Sequence, residues 1–201
     1  MPTNVLQQKQ QDDRIVFLRE FLRHPNQVAS IIPSSRFLER RIMALAGIKT
    51  AHTVVELGAG TGGTTRAVLR ELPKDGKLLV MEINPRFCTR LRQLIQDERL
   101  IVHRGNAQEL REAITTHGLR APDAIISGIP FSTMGCDTGE RILNGVRSAL
   151  APGGRFVAYQ FTKQVHELAS PLLGPGRMEL ELLNIPPMRL YRWEKQARCP
   201  N

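Results

Sequence analysis

Residues 54 to 63 read Val-Val-Glu-Leu-Gly-Ala-Gly-Thr-Gly-Gly, and no other stretch constrains the fold as much. A buried strand ending at Leu57 runs straight into Gly58, Gly60 and Gly62. Those glycines permit a tight turn whose backbone comes close to a ligand that any Cβ would obstruct. The next apolar run, Lys77-Leu78-Leu79-Val80-Met81, ends on a second acid, Glu82. A carboxylate at the tip of the neighbouring strand can accept hydrogen bonds from two ribose hydroxyls. The spacing predicts a nucleoside-cofactor pocket.

Two cofactors compete for that pocket. Gly58, Gly60 and Gly63 satisfy G-x-G-x-x-G, and an acid some twenty residues on also suits a dinucleotide fold. The acid two residues ahead of the first glycine argues the other way. A pyrophosphate beside the turn gains nothing from the carboxylate of Glu56. The pattern Glu56-x-Gly58-x-Gly60 resembles motif I of class I S-adenosylmethionine (SAM) methyltransferases, in which the acid lies near the charged methionine end of the cofactor.

From Thr53 onward apolar strands alternate with amphipathic helices. Strands are predicted near 53–57, 77–83, 99–103, 122–127 and 154–161, and helices near 63–72, 85–96, 106–117 and 137–150. That rhythm implies a parallel sheet covered on both faces. The run from Met178 to Ile185, then Pro186-Pro187, then Met188 to Trp193 predicts a terminal antiparallel hairpin. Five βα units closed by such a hairpin resemble the seven-stranded class I methyltransferase sheet with its reversed last strand. Ahead of it, residues 5–24 read as a basic amphipathic helix with Phe17, Leu18, Phe21 and Leu22 on one face. A second helix follows Pro33, capped by Ser34 or Ser35 and stopping at Gly47. Residues 1–48 are expected to form a helical extension that covers the site or meets a membrane, and residues 49–201 the catalytic domain.

The chain has 201 residues, 41% of them hydrophobic, which suffices for one well-buried α/β domain. Its net charge of +9 favours a polyanionic partner, either nucleic acid or an anionic membrane face. Charge alone does not choose between them. No apolar run approaches the roughly 18 residues that span a bilayer, and the first residues lack the order of a signal peptide. A cytoplasmic or peripheral protein is expected. Cys88, Cys136 and Cys199 are far apart and lack zinc-ligand spacing, so reduced thiols and no metal are expected.

Further motifs fall at strand ends. Gly105-Asn106-Ala107 stands where class I methyltransferases commonly have Gly-Asp-Ala, whose acid binds the adenine amino group; the amide oxygen of Asn106 can still accept. A helix N-cap explains Asn106 equally well, and both roles are compatible. The fourth strand ends Ser127-Gly128-Ile129-Pro130-Phe131. Adenine-amine methyltransferases resemble this stretch but have asparagine where Gly128 stands, and Ser127, one residue earlier, should face the other way.

Taken with Pro33-Ser34-Ser35-Arg36, Glu82-Ile83-Asn84-Pro85, Gln160-Phe161-Thr162 and Asn184-Ile185-Pro186-Pro187, these residues resemble the bacterial phospholipid N-methyltransferases that methylate phosphatidylethanolamine. The likeness covers about Phe21 to Trp193. It departs after Gln160-Phe161-Thr162, where the family's Tyr-Gly-Pro is replaced by Lys163-Gln164-Val165. The resemblance implies SAM as methyl donor, S-adenosylhomocysteine (SAH) as product and an amine-bearing lipid as acceptor, at the inner face of a membrane. An RNA adenine methyltransferase is the alternative, and a non-catalytic nucleotide-binding module a more distant one. Cofactor contacts are expected from Glu56, Gly58, Ala59, Gly60, Thr61, Gly62, Glu82, Ile83, Asn106, Ala107 and Ser127. Substrate contacts are expected from Ser35, Ile129, Pro130 and Tyr159. The sequence identifies no base; His24 and His166 are candidates, each with a structural role as its competing explanation. Tyr159 is a candidate for cation-π contact with a methylated ammonium, against plain core packing.

Overall fold

The computed structural model describes residues 35–184 and 186–196. The expected helix over residues 5–24, His24, Ser34, Ile185 and Cys199 lie outside them. The described chain begins with Ser35, whose hydroxyl caps helix α1 (Arg36–Ala46) by accepting the Leu38 N–H at 3.1 Å. Leu38, Ile42, Met43 and Ala46 recur at helical spacing and are buried. Gly47 then stops the helix in the left-handed region at φ 68°, its N–H returning to the Met43 carbonyl at 3.0 Å. Truncating one such leucine or isoleucine costs about 2–5 kcal/mol, so burial rather than propensity holds α1 in place. It is an integral layer of the core.

Seven strands follow: β1 (Thr53–Leu57), β2 (Lys77–Glu82), β3 (Leu100–Arg104), β4 (Ala124–Ser127), β5 (Arg155–Gln160), β6 (Arg177–Glu181) and β7 (Met188–Glu194). They form one sheet in the order β3-β2-β1-β4-β5-β7-β6, with β1 to β5 parallel and β7 antiparallel to both of its neighbours. This is the expected α/β architecture, seven strands with a reversed last strand. The helices α2 (Gly63–Glu71), α3 (Pro85–Leu94), α4 (Leu110–Thr116), α5 (Cys136–Ala149) and α6 (Gln164–Leu173) connect them. All five residues of β1 are buried, because a central parallel strand is covered on both faces.

Alternation along the strands divides the core in two. Val54, Leu78, Ile126 and Val157 pack with α1, α2 and α3, while Val55, Leu79, Ile125 and Phe156 pack with α4, α5 and α6. The strand order reverses between β1 and β4, so the chains leaving these two strands diverge to opposite faces. A crevice opens at their carboxyl ends.

Two expectations need correction. The terminal hairpin is not closed by Pro186-Pro187 alone: β6 ends at Glu181, whose carboxylate accepts the Leu183 N–H at 2.8 Å, and a six-residue connection, 182–187, follows. Helix α6 was not expected at all. Pro171 lies inside it, and its apolar face is short, so the pattern 161–177 gives little helical signal.

Candidate active site

The crevice contains a cavity of about 500 Å³ bounded by the chain segments that leave β1, β2, β3, β4 and β5. Two backbone bonds fix its floor: the Gly58 N–H donates to the Met81 carbonyl at 2.9 Å and the Gly128 N–H to the Leu57 carbonyl at 3.0 Å. Gly58, Gly60 and Gly62 all have positive φ, at 76°, 52° and 82°. A Cβ on Gly58 would lie 3.1 Å from Ile129 Cγ1, and one on Gly62 would lie 2.6 Å from Leu91 Cδ2. Gly62 therefore serves close packing of α2 against α3 and, contrary to expectation, does not border the cavity; Gly58, Ala59, Gly60 and Thr61 do.

Glu82 ends β2 at the cavity wall, 6% exposed. Its two carboxylate oxygens accept the Gly60 N–H at 3.0 Å and the Asn84 N–H at 2.9 Å. A carboxylate has about four acceptor sites, so two remain for a ligand. Beside it Ile83 is 66% exposed and borders the cavity.

Glu56 is different. It faces α2 from the middle of the sheet and is fully buried, with one oxygen accepting the Thr65 hydroxyl at 2.6 Å and the other, Oε1, without a partner among the described residues. Burial pushes its pKa up from 4.5 to about 7, the Thr65 hydrogen bond opposes that shift, and the Glu82 carboxylate adds to it. A buried unpaired oxygen is costly, and its natural counterpart is a cationic group at the glycine turn. Glu56 does not itself border the cavity.

The family model described as "Methyltransferase domain" matches residues 55–156. Over 145 residues the chain is 30% identical to an ornithine lipid N-methyltransferase of Singulisphaera acidiphila, a match covering 72% of this chain and 76% of that one. The chain belongs to the class I SAM-dependent methyltransferases. A second relative, the ribosomal RNA small subunit methyltransferase H of Dechloromonas aromatica, is 33% identical over 104 residues, 52% of this chain and 33% of that protein. Among solved structures, the N-methyltransferase NodS of Bradyrhizobium japonicum, in complex with SAH, superposes with a TM-score of 0.60 at 13% identity. That superposition covers 80% of this chain and 88% of NodS, and it speaks for the fold alone.

Within this methyltransferase the remaining expected residues separate clearly. Asn106 and Ala107 border the cavity. Asn106 is also an N-cap: its amide oxygen accepts the Gln108 N–H at 3.0 Å, and Glu109 reaches back to its own N–H at 3.2 Å. Ser127 was expected at the cofactor but points to the α5 face, fully buried, its hydroxyl facing the Ile129 N–H at 3.4 Å. Ser35, expected at the substrate, is the α1 cap and ties α1 to the hairpin through its N–H and the Asn184 side chain, 3.0 Å apart. Neither serine borders the cavity. His166 stacks on Tyr191 with ring centroids 5.3 Å apart and bonds Ser170, also away from it.

The other half of the cavity is mostly apolar, with Ser132, Thr138, Gln160 and Thr162 among its lining. Ile129, Pro130 and Tyr159 line it as expected, together with Phe161 of the Gln160-Phe161-Thr162 motif and with Met134 and Met188, which the sequence did not single out. Met188 opens the reversed strand β7, so it stands at the same sheet edge as the ends of the parallel strands; that position was readable in principle. Leu38 also lines the cavity and carries no such signal. Gln160 is 5% exposed, and its amide N–H donates to the Ile129 carbonyl, leaving its oxygen without a partner among the described residues. Of the described residues lining the cavity, Glu82 alone is charged. The described residues hold no group of three or more His, Cys, Asp and Glu able to bind a metal.

Proposed function

We propose that the protein transfers methyl groups from SAM to the amine of a membrane lipid headgroup of the phosphatidylethanolamine or ornithine-lipid kind. The observation that carries this reading is the 30% identity, across three quarters of its length, to a protein named as an ornithine lipid N-methyltransferase. The composition of the cavity agrees with it. Among the described residues no Lys, Arg or His lines the wall, so nothing there is built to track the successive phosphates of a nucleic acid.

The donor fits the residues present. Gly60 and Glu82 would hold its ribose, Asn106 and Ile83 its adenine, and the unpaired oxygen of Glu56 would favour its methionyl ammonium across the turn. When bound, SAM supplies a methyl on a positively charged sulfur, and transfer makes one C–N bond, breaks one C–S bond and releases one proton to water.

The protein's own contribution is to orient and dry the acceptor. A headgroup ammonium entering a wall built from Ile129, Pro130, Met134 and Phe161 loses hydration, which lowers its pKa. It then surrenders its proton to water on entry, and the cavity lining needs no histidine base. Good alignment within such a dry site accounts for much of the acceleration.

Exposed apolar side chains on α1 and the terminal hairpin support lipid access. Phe37, Leu182 and Leu183 are 48%, 66% and 61% exposed, and they flank the Ser35–Asn184 hydrogen bond that joins α1 to the hairpin. Three exposed large apolar side chains on these neighbouring segments suit shallow insertion between headgroups, and the net charge of +9 suits an anionic inner leaflet. No helix among the described residues is long and apolar enough to cross a membrane.

Purified enzyme with labelled SAM, offered mixed phospholipid vesicles and total RNA in parallel, tests the proposal. Label is expected in the amine lipid, more with anionic than with neutral vesicles and less as salt rises. Label in RNA adenine and in no lipid would reject it in favour of an RNA methyltransferase.

A further inference from the structure

The sequence leaves a gap at Gly128, a strand-end position inside the cavity with no side chain to orient an acceptor. The structure fills it from the adjacent strand. A Cβ on Gly128 would lie 2.9 Å from Tyr159 Cζ, closer still to its hydroxyl, and 3.1 Å from the Gly58 carbonyl oxygen. The phenol thus occupies the space that any side chain at residue 128 needs. Its oxygen is 3.2 Å from the Thr64 hydroxyl in the first turn of α2. Glycine turn, α2 and the Ile129–Pro130 wall therefore meet at one hydroxyl, on the line between the cofactor half and the apolar half.

We propose that the Tyr159 hydroxyl receives a hydrogen bond from the substrate amine and turns its lone pair toward the methyl donor, with Gly128 present because that hydroxyl must sit there. The inference rests on the lipid-amine reading above. A phenol offers one donor and two acceptor sites, and Thr64 engages one of them, so capacity to accept an N–H remains. Burial, aided by the nearby Glu56 carboxylate, raises the phenol's pKa well above its ordinary 10, so Tyr159 stays neutral and cannot serve as the base. It orients; it does not take the proton. One consequence is specific to this role. Primary and monomethyl amines have an N–H left to donate while their lone pair attacks, whereas a neutral dimethyl amine has none.

The test is Tyr159→Phe, which removes one oxygen and keeps the ring. SAH affinity by calorimetry should stay within about twofold of wild type. Binding of soluble glycerophosphoethanolamine to the enzyme–SAH complex should weaken roughly 5- to 10-fold, while glycerophosphocholine, which has no N–H at any pH, should bind as before. Turnover on primary and monomethyl amine lipid should fall roughly 10- to 100-fold, with turnover on the dimethyl lipid within about threefold. Equal losses on all three lipids, or equal weakening of both headgroups, would overturn the inference while leaving the proposed function standing. A wild-type enzyme that labels no amine lipid would reject the proposed function, and this inference with it. As a second variant, Gly128→Ala should lower headgroup binding by displacing the hydroxyl, and its penalty should shrink in the Tyr159→Phe background, where the nearest contact is gone and only those to the ring carbon and the Gly58 carbonyl remain; fully additive losses would also overturn it.

Discussion

The two halves of the cavity are built from different material. On the side proposed for the cofactor, the wall combines the Gly58–Gly60 turn, the Gly60 N–H held by Glu82 and the side chains of Ile83, Phe87 and Asn106, with Glu56 buried behind. On the acceptor side it is side chain, with Ile129, Met134, Tyr159 and Phe161 drawn from β4, β5 and the segments after them. Backbone geometry serves a ligand of fixed shape, and an apolar wall serves one that differs mainly in its tail. The carboxylates follow the same division, since both Glu56 and Glu82 stand on the side of the glycine turn.

That asymmetry is most exposed to attack through pH. Glu56 has a folded-state pKa of about 7 against 4.5 in the unfolded chain, so between those values the folded protein binds a proton that the unfolded protein has lost. Stability is therefore full below about pH 4.5 and falls as pH rises through 7, by about 3 kcal/mol if the shift is realised in full. Urea unfolding of wild type and Glu56→Gln across that window checks this: the wild-type curve should slope down relative to the variant. SAH should bind the wild type more tightly as pH rises, because its ammonium favours the charged form. Parallel stability curves for the two proteins would remove the cofactor side's claim to a stored electrostatic cost.

The same division decides what could be read before the structure. Strand, glycine turn and acid are consecutive or one strand apart, and the chemistry they serve demands those residue types, so Gly58, Gly60 and Glu82 are visible in the sequence. Alternation placed β1 to β5 nearly to the residue for the same reason. Tyr159 over Gly128 is not visible, because it depends on which strands become neighbours and on a reach of one side chain across the sheet. Ser127 shows the limit from the other side: the period of two already says it faces away from Gly128, and the structure buries its hydroxyl against the Ile129 N–H. Helix α6 was missed because Pro171 and a short apolar stripe weaken the signal that found α2 to α5. Gly62 was read as ligand approach when Leu91 is what excludes its Cβ.

A second break strikes Glu82 directly. Its carboxylate orders the glycine turn through Gly60 and the start of α3 through Asn84, while keeping two acceptor sites for a ribose. Glu82→Ala removes all of these, and SAH affinity by calorimetry should fall by more than tenfold, about 1.4 kcal/mol or more. Binding of glycerophosphocholine on the acceptor side should change much less. NAD binding in preference to SAH would overturn the pocket assignment itself.

The smallest expected effect sharpens the comparison at its boundary. Asn106 has two duties, capping the turn after β3 through the Gln108 N–H and, in the proposed pocket, accepting from the adenine amine. Alanine removes both, so Asn106→Ala should cost about 1 kcal/mol of stability and weaken SAH severalfold. Aspartate separates the two. It caps as well as asparagine, so thermal stability should hold, and its full charge makes a stronger acceptor for the adenine N–H, so SAH affinity should rise by roughly two- to fivefold. If Asn106→Asp leaves affinity unchanged while Asn106→Ala lowers stability and affinity together, residue 106 is a cap alone, and the cofactor side ends at Glu82 and Ile83.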